Sequence, residues 1–319
     1  MSDLPPSSAN STAATDETPS TGQGVALAVG ATCMWGMFPL VFKTVAHIDM
    51  VEVVAHRSLW ALVFAALLMA ILGRREIIQR TFYSRRNLTV AALSGLAVAI
   101  NWGAFIWAVS HDQVLQSSLG YYISPLVSVV LGVVFLHERL RAKAWVAVGF
   151  AAIGVVLLVL YFGVVPWAAL TIAVSWAMYG LVRKLAPVGS LPGLYLETMM
   201  LSPLALGYIV WMNLNVGGVS PVEGAAFGAT LSDSLKLIAT GALTAFPLLL
   251  FARATRILRL STIGILTFIV PTVQFLLAVF VFDEPFTLAH LWAFAFIWLG
   301  LVLYTWDKLS WRKPAPIPL

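Results

Sequence analysis

The sequence predicts an all-α integral membrane protein with ten transmembrane helices, arranged as two inverted five-helix repeats. Three observations predict this fold: the composition, the length of the apolar runs, and a motif at residue 123 that recurs at residue 269. Of the 319 residues, 60% are hydrophobic and 10% are charged, whereas soluble domains carry about 25% charged residues. The composition therefore excludes a water-soluble globular protein. A single cysteine, Cys33, excludes an internal disulfide and a thiol-rich metal site.

Ten apolar runs follow a polar N-terminal tail. Residues 1–23 are rich in Ser, Thr and Pro and predict a disordered cytoplasmic tail, and residues 307–319 form a short C-terminal tail. Because the runs are continuous and do not alternate between polar and apolar residues, they predict helices rather than β-barrel strands. The predicted spans are 24–42, 53–72, 88–109, 117–136, 144–160, 164–182, 194–212, 235–251, 263–282 and 288–306.

The basic residues alternate between the two sides of these spans. Sixteen of the 19 Lys and Arg residues fall in gaps on one side, Lys43 and Lys236 fall on the other, and Arg57 lies inside a span. An excess of Lys and Arg marks cytoplasmic loops, so both termini are predicted to lie in the cytoplasm, with the chain crossing the inner (cytoplasmic) membrane many times. Because topology and contact with lipid head groups account for these charges, they do not indicate a nucleic-acid partner.

An internal repeat relates the two halves of the chain. At an offset of 146 residues, Ile123-Ser-Pro-Leu-Val aligns with Ile269-Val-Pro-Thr-Val, and a slightly shorter offset aligns Trp35 with Trp176. The predicted repeats are 24–160 and 164–306. Because each repeat has an odd number of spans, the second must be inverted relative to the first, which is the geometry that alternating access requires.

Two pairs of residues matched by the repeat are candidate moving parts. Pro125 and Pro271 each remove a backbone donor, so both helices should be interrupted, either as a hinge or broken helix beside a cavity or as a static kink. Glu138 and Glu284 end the fourth and ninth spans on opposite faces of the membrane. Each either caps the next helix or pairs with a basic loop residue as part of a gate.

Polar residues inside the spans are candidate substrate ligands, because burying them in lipid is costly. Burying an arginine in lipid costs about 2.5–3.5 kcal/mol or more. Arg57 is therefore predicted either to bind an anionic substrate group or to act in a gate, or else to serve as an anchor or in a structural ion pair. His56 is either a proton carrier or a neutral interhelical hydrogen-bond partner. Asn101 either binds substrate or joins two helices. Glu197 is either a coupling carboxylate or a solvated helix start.

Three aromatic residues within the spans are candidate walls of the substrate pocket. Trp35 and Trp176, which the repeat relates to each other, and Tyr179 suit an amphipathic or cationic solute. Aromatic belts at the membrane surface also collect Trp and Tyr, so a belt is the alternative for the tryptophan pair.

Motifs for enzymes, cofactors and metals are missing from the sequence. It has no phosphate-binding Walker loop, no zinc-binding HExxH and no nucleophile elbow. We therefore expect no catalytic activity, no cofactor and no metal. The expected partners are a small-molecule substrate and the lipid bilayer, and the sequence leaves open whether the protein forms a homodimer. A membrane sensor or assembly protein that transports nothing is the rival class, and a channel is a third.

Several segments carry a family resemblance. The main ones are Asn101-Trp-Gly-Ala-Phe-Ile-Trp, Ser118-Leu-Gly-Tyr-Tyr-Ile-Ser-Pro-Leu and Phe135-Leu-His-Glu-Arg. Together they resemble the RarD branch of the EamA family, in the drug/metabolite transporter superfamily. The resemblance implies a ten-helix permease of two EamA repeats whose relatives move metabolites or drugs, often outward. The chain departs from the family pattern at Ser124, where Asn is usual, and at Thr267, where Gln is usual.

These observations predict a secondary transporter of a small metabolite or drug-like solute that works by alternating access. Export is the expected direction, with uptake as the alternative. Arg57, His56 and Asn101 are the expected polar ligands.

Overall fold

The computed structural model describes residues 20–73, 84–137, 142–184, 188–214 and 225–310, except the side chains of 260, 261 and 307–310. Within these ranges the chain forms twelve helices and no strand. The helices are α1 (Thr21–Gly36), α2 (Phe38–Lys43), α3 (Met50–Ile71), α4 (Arg85–Ser110), α5 (Val114–Leu136), α6 (Ala142–Phe162), α7 (Trp167–Lys184), α8 (Ser190–Asn213), α9 (Leu231–Ile257), α10 (Leu260–Leu266), α11 (Ile269–Phe280) and α12 (Leu288–Ser310).

The twelve helices fit ten membrane crossings. Eight crossings are single helices, and two are pairs of short helices: α1 with α2, and α10 with α11. In the described part of the chain, nine crossings are long and apolar enough to span a bilayer. The remaining crossing is α7, whose 18 residues include Arg183 and Lys184 at the end. The predicted all-helical membrane fold is confirmed.

Short polar side chains begin four of the helices. Ser20, Asp49, Ser84 and Thr230 each accept a hydrogen bond from a backbone N–H in the first turn of the helix that follows. Each cap satisfies a donor that has no partner within the helix. The helix starts are therefore fixed by local sequence, while the apolar runs that follow decide which segments enter the membrane.

The helix packing repeats after five crossings. We call the crossing five positions along the chain the counterpart of a given crossing. Helix α1 packs on α9 and α11. Its counterpart α7 packs on α4 and α5. Because α4 is the counterpart of α9, and α5 is the counterpart of the α10–α11 crossing, the two sets of contacts match. Three further contacts pair a crossing with its own counterpart: α3 with α8, α5 with α11, and α6 with α12. This pattern is the one expected for two copies of a five-helix unit.

Contacts between α6 and α12 give the relative direction of the two halves. A Cβ added to Gly154 would lie 2.8 Å from the carbonyl oxygen of Ala293, and one added to Gly300 would lie 2.7 Å from a carbonyl oxygen of α6. The rings of Phe150 and Phe296, which are matched by the repeat, stack at 6.0 Å. Residue numbers rise along α6 as they fall along α12, so these counterparts are antiparallel. The limits of the two repeats, 24–160 and 164–306, stay a prediction.

Two crossings are broken, and their counterparts are continuous. The first crossing breaks at Met37, and the ninth breaks between Leu266 and Ile269, just before Pro271. α5 runs without a break although it contains Pro125. The predicted interruption is found at Pro271. At Pro125 the helix is not broken, so the broken-helix alternative does not hold there, and the hinge and the static kink stay predictions. The break at Met37 was not predicted.

Candidate substrate-binding site

Arg57 lies in an aromatic cage between four crossings. Its side chain is buried, with the residue 4% exposed, and Nε donates a hydrogen bond of 2.9 Å to the Thr244 hydroxyl of α9. The guanidinium carbon lies 4.2 Å from the ring centre of Trp102 in α4, and 5.0 and 5.5 Å from those of Phe42 and Phe38 in α2. Aromatic faces attract a cation, so the cage holds the guanidinium without neutralising it.

No carboxylate among the described residues lies within 4.0 Å of the Arg57 guanidinium. Among the described residues, Nε is the only nitrogen of the Arg57 guanidinium that has a hydrogen-bond acceptor. The nearby acid Glu52 instead accepts backbone hydrogen bonds from Ala226 (2.8 Å) and Phe227 (3.1 Å). The cage can therefore accept an anionic group.

An aromatic row leads away from the cage. We give this name to five rings whose successive centres are 5.6, 6.4, 6.1 and 5.4 Å apart. The row is Phe42, Phe105, Tyr121, Trp176 and Tyr179. The row crosses from α2 through α4 and α5 to α7, so it forms a wall shared by both halves. Trp176 is 41% exposed, which fits both a pocket wall and the aromatic belt, so its role as a wall stays a prediction.

Asn101 is bound within the helix bundle beside this row. Its amide nitrogen donates to the carbonyl of Ile172 and the hydroxyl of Ser175, both at 3.2 Å, and its oxygen accepts from the Tyr121 hydroxyl at 3.0 Å. These are the interhelical bonds of the alternative given above. Its predicted role in binding substrate stays a prediction, and Asn101 fixes the orientation of Tyr121.

His56 faces the segment before α9. Its ring stacks on Phe227 with centres 4.6 Å apart, and its Nε2 lies 4.0 Å from Glu52. That nitrogen is buried without a hydrogen-bond partner among the described residues. His56 therefore does not join the cage around Arg57, although the two residues are adjacent in sequence.

Trp35 also lies apart from the aromatic row. Its ring contacts Phe251 of α9 at 5.2 Å, and none of the ring contacts within the described residues joins it to Trp176. Of the six predicted ligands, Arg57 lies at one end of the aromatic row, Trp176 and Tyr179 lie toward its other end, and Asn101 is bonded to Tyr121 between them.

Glu197 ends the aromatic row at the opposite side from the cage. It is 1% exposed, so it is not the solvated helix start named as an alternative. Its oxygens accept hydrogen bonds from Ser94 at 2.8 Å and Tyr179 at 3.4 Å, and Arg183 Nη1 lies 3.5 Å away. This carboxylate is therefore paired with a cation and two hydroxyls.

Glu284 caps α5 at the end of the bundle that the charge pattern predicts to be external. Its carboxylate accepts hydrogen bonds from the backbone N–H of Val114 at 2.5 Å and of Leu115 at 2.7 Å. Burial raises the pKa of the Glu284 carboxyl, and the two N–H donors offset part of that shift. Glu284 is therefore a helix cap, but of α5 and not, as predicted, of the next helix, α12. Its role in a gate stays a prediction. Its match in the first repeat, Glu138, lies outside the described residues.

Three hydrogen bonds join α5 to α11 at the same end of the bundle. The Ser118 hydroxyl donates to the carbonyl of Pro271 at 2.8 Å, and the Tyr122 and Thr272 hydroxyls lie 2.6 Å apart. The third runs from Ser117 to Gln274. Beside them, Lys43 and Asp112 form an ion pair between the first crossing and the connection that leads into α5. Polar contacts therefore join α5 to α11, and the first crossing to the connection before α5, toward this end of the bundle.

The comparisons with known proteins show the family of this chain. Residues 22–160 match the model of the EamA-like transporter family. An uncharacterized transporter of Pseudomonas aeruginosa is 40% identical over 93% of this chain and 97% of its own. The protein RarD of Escherichia coli is 37% identical over 92% and 97%, respectively. The chain belongs to the EamA-like transporter family, in its RarD branch.

Membership in the EamA family confirms the resemblance inferred from the sequence. An uncharacterized transporter of Bacillus subtilis is 39% identical over 92% of this chain and 97% of its own. The EamA fold also matches a solved crystal structure with a TM-score of 0.55 at 20% identity, covering 92% of this chain and all of the other. By its family, the protein is therefore a multi-pass membrane transporter, and the family points to transport rather than to an enzyme.

The two departures from the RarD pattern lie outside the cage. Ser124 donates within α5 to Gly120 and lies 3.4 Å from the carbonyl of Ala173. Thr267 donates to the carbonyl of Gly264 at the break in the ninth crossing. Neither residue contacts Arg57. Thr244 and Trp102 do contact Arg57. They were not predicted as site residues, because the sequence around them carries no distinctive local signal.

Proposed function

We propose that this RarD-branch protein is a secondary transporter of a small metabolite or drug-like solute with an anionic group. In this proposal Arg57 binds the anionic group, and the aromatic row contacts the apolar part of the solute. The single observation that carries the proposal is the buried guanidinium, held by aromatic rings and one hydroxyl, with no carboxylate among its described neighbours. A substrate carboxylate or phosphate would supply strong charge-assisted hydrogen bonds to such a group.

We further propose that transport proceeds by alternating access between the two halves, in the outward direction. The polar contacts between α5 and α11 support alternating access, because all of them lie toward one end of the bundle. The counterpart of Ser118 is Gly264, which has no side chain to make the same bond. Among the described residues, this bond is therefore present in one repeat and has no match in the other, as expected for one of two alternating states. The outward direction is proposed from the family resemblance alone. The inner membrane and cytoplasmic termini belong to the same proposal.

The first experiment identifies the solute. Metabolites retained by cells that lack the protein are compared with those retained by cells that overproduce it, without selecting a compound class. Export predicts that anionic compounds accumulate in cells that lack the protein. Accumulation in the overproducing cells would instead indicate uptake.

The second experiment tests Arg57 in proteoliposomes, using counterflow of the solute found in this way. Because a hydrogen bond to a charged group contributes about 1.5–3 kcal/mol, we expect Arg57→Lys to raise KM about tenfold to 100-fold and Arg57→Ala to abolish exchange. Lys keeps the charge but loses the planar donor pattern of Arg. Arg253→Ala, at an exposed position of α9, is the matched control and should exchange normally.

Three outcomes separate the alternatives. Unchanged exchange by Arg57→Ala would remove Arg57 from the site. A lower kcat with unchanged KM would assign Arg57 to a gate rather than to binding. No exchange of any solute by the intact protein, with reconstitution verified, would favour a sensor or assembly protein.

A further inference from the structure

A second cavity lies far from the Arg57 cage. It has a volume of about 300 Å³ and lies between the first turns of α5 and α12, the end of α6, and the connection from α6 to α7. Sites for small molecules have volumes of about 300–1,000 Å³, so the cavity reaches the lower end of that range. No residue of the cage or of the aromatic row lines it. The cavity is therefore a separate candidate site.

The cavity is mostly apolar, and the polar residues of its lining are Gln113, Gln116 and His290. Its floor consists of three buried side chains, Leu119, Leu158 and Phe294. Its mouth includes Phe162 and Val165, which are exposed on the bundle surface. A ligand that enters through this mouth passes apolar side chains, which suits a lipid acyl chain.

A histidine at the rim supplies a hydrogen-bond donor. His290 Nδ1 accepts from the backbone N–H of Thr287 at 3.2 Å, which places the ring proton on Nε2. In the part of the chain that the structure describes, that Nε2 has no hydrogen-bond acceptor. The ring is held at 4.8 Å from the ring of Phe162, so its position is fixed.

Polar and apolar groups are ordered by depth. His290 is in the first turn of α12, and Phe294 is four residues further along, about 6 Å deeper at 1.5 Å per residue. A phospholipid in that leaflet has the same order, with phosphate and ester oxygens above and acyl chains below. We infer that the cavity binds one acyl chain of a phospholipid, and that His290 donates a hydrogen bond to an ester or phosphate oxygen of the same lipid. This inference does not depend on the proposed transport function.

Native mass spectrometry of the full-length protein tests the site, with phosphatidylethanolamine of defined chain length added after delipidation. Val165→Trp closes the mouth, and we expect it to retain one lipid fewer than the unmodified protein. Val156→Trp is the matched control, because both valines are 53% exposed and Val156 lies on α6 outside the cavity. His290→Phe keeps the ring and removes the donor, so lipid affinity should fall about twofold to tenfold, as for loss of one hydrogen bond.

The outcomes decide between a lipid site and an empty crevice. Equal lipid retention by Val165→Trp and Val156→Trp would overturn the inference. Unchanged affinity in His290→Phe would overturn the assigned hydrogen bond. Equal competition by an alkyl detergent without ester or phosphate oxygens would overturn the assignment to a phospholipid. Should Val165→Trp fail to fold, His290→Phe and the detergent competition still test the inference.

Discussion

The repeat matches the pair formed by the first and ninth crossings with the pair formed by the sixth and fourth crossings. The backbones of these two matched pairs differ. The first and ninth crossings pack on each other and both are broken, whereas their counterparts α7 and α5 also pack on each other and are continuous. The sequences of the ninth and fourth crossings share the Ile-x-Pro-x-Val motif, so the motif alone does not determine the break. The surrounding contacts decide it.

The side chains around the two pairs also differ. Phe105 and Trp176 belong to the aromatic row, with Tyr121 between them, while their matches Phe251 and Trp35 contact each other directly. The residue matched to Tyr121 is Thr267, whose short side chain leaves that space to the two rings. The third, fourth and sixth crossings thus contribute rings to the aromatic row, whereas in the matched set of crossings two rings contact each other directly. An inverted repeat in a single state is expected to be asymmetric in this way.

The two matched prolines give the largest expected difference. Pro125 lies inside a continuous helix, where a missing N–H and the ring clash cost up to about 3 kcal/mol. Pro271 lies in the first turn of α11, where the N–H has no intrahelical partner in any case. We therefore expect Pro125→Ala to raise the free energy of unfolding much more than Pro271→Ala, as measured by thermal and denaturant unfolding in detergent. Equal effects of the two substitutions on the free energy of unfolding would mean that the break in the ninth crossing does not make the two prolines differ in energy.

The glycines of α6 and α12 test whether the two halves of the protein pack equivalently where these helices meet. Gly154→Ala and Gly300→Ala each place a Cβ under 3 Å from a backbone oxygen of the other helix, so each should cost about 1–3 kcal/mol. Gly149→Ala is the control in the same helix, because a Cβ there meets nothing within 4 Å. It should be neutral or stabilising by up to about 1 kcal/mol. A large loss for Gly154 alone would contradict equivalent packing of the halves.

Much of the fold was predictable because it depends on composition and periodicity. The ten apolar runs, the repeat offset and the functional interest of Arg57 all follow from the cost of placing polar groups in lipid. These features are set by the bilayer, which acts in the same way on every segment.

The cage was not predictable, because it depends on contacts between distant segments. Thr244 is separated from Arg57 by 187 residues, and no local pattern joins them. Glu197 has a charged partner on α7 that permits its burial, and the sequence gives no sign of that pairing. The break at Met37 lies just before the Phe38–Pro39 dipeptide, a proline signal that was overlooked.

Ser118 tests the contacts that close one end of the bundle. Ser118→Ala removes a buried hydrogen bond to the carbonyl of Pro271, so we expect a loss of about 0.5–1.5 kcal/mol in the free energy of unfolding. Ser128→Ala, also in α5, removes only a bond to a carbonyl of the same helix and should cost less. The difference should appear in thermal melting of the two proteins. A larger loss in Ser128→Ala would show that the α5–α11 contact contributes little.

Glu284 gives the smallest effect, a change in pH dependence. Because burial raises the pKa of this carboxyl above its ordinary 4.5, the folded protein binds more protons than the unfolded chain between the two values. Stability should therefore fall as pH rises from about 4.5 through the raised pKa, with a slope for one proton of at most about 1.4 kcal/mol per pH unit. Glu284→Gln should remove this contribution, measured as the difference in melting temperature from the unmodified protein at each pH.

Asp283→Asn controls for the loss of one negative charge beside the cap. Residue 283 has a positive φ of 51°, a backbone conformation that Asn tolerates as well as Asp does, so the substitution should not strain the turn. The pH-dependent difference should be present in Glu284→Gln and absent in Asp283→Asn. If both variants change the slope equally, the effect belongs to charge at this end of the bundle and not to the carboxylate that caps α5.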